Sequence, residues 1–173
     1  MTFFSKNCWR IFVGVFAPIC TVSSLEGSIY DFSLPALDNK ERPKALLLVN
    51  IASQCGLKNQ LYDLETLYQK YKDQGLLIVA VPSADFNQEP LDDIKAEEFC
   101  RVNYGVTFPI AKKTYVVGLK ANPIYKWLAT YRTPIWNFHK YLFDKDGYLV
   151  QHYWPTTSPQ SSSLEDQIKT LLK

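Results

Sequence analysis

Cys55 stands at an abrupt change of pattern. The residues before it, "ALLLVNIA" (45–52), are apolar, and those after it, "QLYDLETLYQKYKDQG" (60–75), are polar with a helical repeat. A cysteine between a strand and a helix can be a nucleophile. Unpaired N–H groups and a partial positive charge at a helix start favour the thiolate, and Lys58 would add a cation. It can equally be a small buried hydrophobe, since free cysteine is among the most buried residue types. Position alone leaves both readings open. Cys100 lies in a second helical pattern. It reads either as a core cysteine beside Phe99 or as a second thiol that captures an oxidised Cys55.

Other chemistries find little support. The fourth residue of "CGLK" is Lys58, so there is no C-x-x-C and a thioredoxin-type dithiol reductase is disfavoured. Cys55, Cys100, His139 and His152 share no metal-ligand spacing, and no metal site is expected. There is no P-loop, no G-x-G-x-x-G and no G-x-S-x-G, which removes the usual signals for nucleotide binding and for an α/β-hydrolase.

The N-terminus has its own character. Lys6 and Arg10 precede the apolar run "IFVGVFAPICTV" (11–22), and "SSLEG" follows. A basic start, a short apolar run and small residues match a secretory signal peptide over residues 1–24, with cleavage before Leu25. An uncleaved anchor or a buried element are the alternatives. As a helix the apolar run would be roughly 18 Å long, short of the ~30 Å hydrocarbon core, so no stable membrane span is expected in the mature chain. Without these residues two basic side chains and two of the four cysteines, Cys8 and Cys20, are lost. The rest balances 17 basic against 17 acidic residues. No basic patch remains to suggest nucleic acid. In an exported chain the remaining pair, Cys55 and Cys100, suggests a disulfide, structural or functional. The expected location is periplasmic or secreted.

The elements that would position Cys55 follow from periodicity. Alternation predicts a strand over 29–37. The apolar runs 45–52 and 76–83 predict strands buried on both faces, joined by a helix over 58–74. Helices are predicted over 91–105 and 122–131, the second opened by Pro123. Residues 106–113 read as extended. A hairpin over 138–154 should turn at Asp146 and Gly147. "SLEDQIKTLLK" reads as a closing helix capped by Ser162 or Ser163. The order implies one α/β domain over 25–173, a mixed central sheet flanked by helices as in the thioredoxin-like fold. Ligands of such sheets bind at the carboxyl ends of the strands, where Cys55 lies.

Four segments together resemble the glutathione peroxidase family. "VNIASQCGLKNQLYDLETLYQKYKDQGLLIVAVP" resembles its catalytic segment in the form with cysteine in place of selenocysteine. "DFNQEP" and "WNFHKYLFDKDG" resemble its second and third motifs. "FCRVNYGVTFP" resembles the resolving-cysteine segment of the two-cysteine, thioredoxin-dependent branch. The resemblance spans about residues 28–172. It implies a catalytic tetrad of Cys55, Gln88, Trp136 and Asn137, with Cys100 as the resolving cysteine. It further implies a hydroperoxide substrate, no bound cofactor, and glutathione or a thioredoxin-like protein as the reducing co-substrate. The same chemistry would also serve a redox sensor or relay that passes its oxidation to a partner protein. Only "RTP" separates "LATY" from "IWNF", as in the short, usually monomeric members. The chain departs from the pattern where a single residue, Asn87, separates Phe86 from Gln88. It departs again at Lys58, at Leu91 after "EP", and in a shortened segment before "ALLLVN".

Overall fold

The structure is a computed structural model that describes residues 27–33, 36 and 42–173. The expected signal peptide lies outside the described residues. Four strands form one sheet in the order β2-β1-β3-β4. β1 (Ala45–Ile51) pairs parallel with β2 (Leu76–Pro82) and antiparallel with β3 (Lys140–Asp144), which pairs antiparallel with β4 (Leu149–Tyr153). The helices are α1 (Gln60–Tyr71), α2 (Asp93–Tyr104), α3 (Pro123–Leu128) and α4 (Ser162–Leu172). This is the thioredoxin-like α/β arrangement anticipated above.

All seven residues of β1 are buried, because the strand is central and covered on both faces. Its side chains divide by alternation. Leu47, Val49 and Ile51 pack in a cluster with Leu61 and Leu64 of α1, Cys100 of α2, and Leu164, Ile168 and Leu172 of α4. Leu46 and Leu48 pack on the other side with Ile124, Tyr125 and Leu128 of α3 and with Tyr141 and Phe143 of β3. Fully burying one such aliphatic side chain is worth about 1.5–3 kcal/mol, so the three from α4 are enough to hold that helix on the sheet.

Several boundaries differ from the sequence-based expectation. Ile29–Asp31 is a 3-10 turn, not a strand. Ser28 and Asp31 close a capping box on it, and the turn docks on the β3–β4 hairpin through Ile29 N–H to Gly147 O at 2.9 Å. Gly147 has φ +83°, and a Cβ there would collide with Ser28 and Tyr30. The first long helix begins at Gln60 and ends in a 3-10 turn, Lys72–Gln74, closed by left-handed Gly75. α3 stops at Leu128, three residues before the expected end. The last helix takes Ser161 as its N-cap, in extended conformation, so Ser162 and Ser163 are already helical. Residues 106–113 form no strand, but Ile110 bridges to Ala80 and covers the β2 edge. Among the described residues no helix is long and apolar enough to cross a membrane.

Candidate active site

Cys55 lies in the turn between β1 and α1, at the carboxyl end of the central strand. It is completely buried, in the same cluster as Leu61 and Phe138. α1 begins five residues later, so the thiol meets the turn that precedes the helix and not its first residue. Leu57 N–H donates to Cys55 Sγ at 3.5 Å, and Lys58 N–H to Cys55 O at 3.0 Å.

Two further segments reach this turn. The loop after β2 carries Gln88, whose carbonyl accepts from Gln54 N–H at 3.0 Å. The segment before β3 carries Trp136 and Asn137. Asn137 Nδ2 donates to Gln88 Oε1 at 3.1 Å, which joins two of the anticipated tetrad residues directly. The shortened spacing between Phe86 and Gln88 does not prevent this. Asn87 takes φ +55°, a left-handed conformation that asparagine tolerates, and the chain turns within one residue. Trp136 is 40% exposed, and its ring lies 5.4 Å from that of Phe86. Gln88, Asn137 and Trp136 thus form one wall beside the Cys55 turn. None of the three hydrogen-bonds to Sγ among the described contacts.

Asn50 sets the height of that wall. It is the one polar residue of β1, and it is fully buried. Asn50 Nδ2 donates to Trp136 O at 3.1 Å, and Asn50 O accepts from Phe138 N–H at 2.6 Å. Phe138 has φ +69°, a rare conformation for an aromatic residue and one that concentrates at functional sites. With this kink Asn137, Phe138 and His139 are all fully buried in succession.

Cys100 lies inside α2, in the same apolar cluster as Cys55, and both thiols are free. Burial, and then the charge of Glu89, push the Cys100 thiol up to about 12. Cys100 is therefore a protonated, weak nucleophile in this conformation.

The model of the glutathione peroxidase family matches residues 23–129. The chain belongs to the glutathione peroxidase family. It is a peroxidase, an oxidoreductase acting on peroxides. A glutathione peroxidase-like peroxiredoxin of Saccharomyces cerevisiae is 40% identical over 158 residues, covering 82% of this chain and 96% of that protein. A glutathione peroxidase homologue of Halalkalibacterium halodurans is also 40% identical over 158 residues, covering 84% and 99%. The crystal structure of T. cruzi GPX1 superposes with a TM-score of 0.64 at 30% identity, covering 84% of this chain and 95% of that one. In this glutathione peroxidase, Gln88 and Asn137 meet each other beside the Cys55 turn, with Gln88 also tied to that turn through Gln54 N–H.

Three groups near this site lie inside the motifs quoted above without being singled out by them. Glu89 is buried, and its carboxylate accepts from Ser53 N–H at 2.8 Å, Ser53 Oγ at 2.8 Å and Leu91 N–H at 3.2 Å. Its position next to Gln88 is the one signal that could have drawn attention to it. Lys140 is fully buried, with Nζ donating to Phe138 O at 2.8 Å, and burial lowers its pKa to about 7. His139 stacks between Tyr141 and His152. Burial first, then His152, Lys140 and Arg132, lower its pKa to about 4.

Proposed function

We propose that Cys55 is the peroxidatic thiol of a two-cysteine, thioredoxin-dependent type of enzyme. The Cys55 thiolate attacks one oxygen of a hydroperoxide. The O–O bond breaks, Cys55 becomes a sulfenic acid, and the departing alkoxide or hydroxide takes a proton. Gln88, Trp136 and Asn137 are neutral donors and stabilise the sulfur and oxygen anions without adding a titrating group. The observation that carries this reading is the Asn137–Gln88 hydrogen bond beside the buried Cys55 turn.

Cys100 then attacks the sulfenic sulfur to give a disulfide and water. A thioredoxin-like dithiol reduces that disulfide by exchange. A disulfide needs Cα atoms about 4.4–6.8 Å apart. Cys100 is held within α2, and in this reading α2 unwinds around it to bring the two thiols together. The protein acts as a monomer, and residues 1–24 direct export and are cleaved before Leu25.

The test is steady-state peroxide reduction by the full chain with glutathione or with a thioredoxin system. Turnover is expected with the thioredoxin system, and preferred turnover with glutathione would overturn the choice of reductant. Cys55→Ser should abolish activity, and Asn137→Ala should lower the rate about 10²-fold, the scale for losing one preorganised donor. One equivalent of hydroperoxide followed by mass spectrometry should yield a Cys55–Cys100 linkage. An overoxidised Cys55 without that linkage would sink the two-cysteine mechanism.

A further inference from the structure

Glu89 is 4% exposed and makes no salt bridge among the described residues. Its three partners are all donors, two from Ser53 in the Cys55 turn and one from Leu91 at the entry to α2. The tie therefore runs between the two segments that carry the two thiols. The entry to α2 is anchored further by Lys113, whose Nζ donates to Leu91 O at 2.6 Å, and by the Asp92 cap, which accepts from Lys95 N–H at 2.9 Å.

This tie calls for a carboxylate: one oxygen accepts from Ser53 N–H and the other from Ser53 Oγ and Leu91 N–H, so a glutamine amide would set its own N–H against a donor and break the tie. The carboxylate also brings charge, and the thiol that feels it is Cys100, whose pKa Glu89 helps to raise.

We propose that Glu89 is a positioning residue for the resolving step, a latch that holds the Cys55 turn to the entry of α2 and keeps Cys100 withdrawn until α2 unwinds. This rests on the two-cysteine reading above. In the step it governs, the Cys100 S–H proton leaves, an S–S bond forms to Cys55, and the Cys55 S–O bond breaks. The hydroxide and the proton depart as water. Both sulfurs end at the disulfide oxidation level, so no further oxidant is required.

The latch is tested on the full chain by stopped-flow tryptophan fluorescence with hydrogen peroxide. Cys100→Ser isolates sulfenic acid formation, and the chain with both thiols adds the resolving phase. Glu89→Gln should leave the first phase within about twofold. It should speed the resolving phase about tenfold, the scale of one hydrogen bond to a charged group. The pH midpoint of the resolving phase should also move down, because Cys100 no longer faces a negative charge. Loss of both phases together with a lower Tm, or an unchanged resolving phase, would overturn the proposal. If Glu89→Gln does not fold, Ser53→Ala removes the hydroxyl donor of the latch, with the Ser53 N–H bond and the charge kept. It should speed the resolving phase at least threefold, and no change would again overturn the latch. Mass spectrometry of the parent chain separates the two readings. No Cys55–Cys100 disulfide there removes the two-cysteine mechanism and the latch together, whereas a disulfide with unaltered kinetics in the variants removes the latch alone.

Discussion

At the scale of single residues, the site is polar at its wall and apolar around its thiol. The position of Cys55 between strand and helix left a buried hydrophobe and a reactive thiol equally open, and the reading of it as reactive came from the distant motifs. Gln88, Trp136 and Asn137 were legible only through their motifs, and Gln88 and Asn137 meet directly. Glu89 stands in the "DFNQEP" motif, but its burial was not legible, because its main partner, Ser53, lies 36 residues away. His139 was hidden for a similar reason. Its burial comes from a kink at Phe138 and from stacking on β4, neither of which has a local pattern. The consequence is measurable. The folded pKa of His139 is about 4, below the unfolded value of about 6.5. Between these values the unfolded chain holds a proton that the folded chain lacks, so stability falls as pH drops from about 6.5 towards 4. His139→Phe keeps a ring in the stack and removes the titration. Denaturant midpoints should then show a shallower acid loss, by roughly 3 kcal/mol at full effect.

At the scale of elements, the two apolar runs became β1 and β2 almost residue for residue, because strands buried on both faces read as continuous hydrophobic sequence. The alternation at 29–37 was misleading. Only Ile29 is buried in the 3-10 turn, and the capping pair Ser28 and Asp31 was the better signal. α2 is the element on which the two-cysteine mechanism turns. It carries a short apolar stripe of Ala96, Cys100 and Tyr104, while Ile94 and Val102 are largely exposed. So little burial makes it a candidate for local opening. Amide hydrogen exchange should show lost protection across residues 97–103 after one equivalent of peroxide, with β1 unchanged. Equal protection in both redox states would exclude unwinding.

At the scale of the molecule, one sheet divides two apolar clusters, and the site lies at the end of its central strand. The Cys55 turn, the loop after β2 and the segment before β3 converge there because their strands are neighbours in the order β2-β1-β3. Light scattering should return the mass of one chain in both redox states, and a dimer would place part of the exposed α2 surface in an interface.

The complete burial of Cys55 has a practical side. A reagent such as iodoacetamide must contact the sulfur from solvent, and this sulfur offers it no surface. Alkylation will therefore require residues 53–58 to open, and its rate will combine the population of the open form with the reactivity of the thiol. Labelling of the resting enzyme becomes a gauge of that opening, and redox state is better read from the mass of the unfolded, quenched chain.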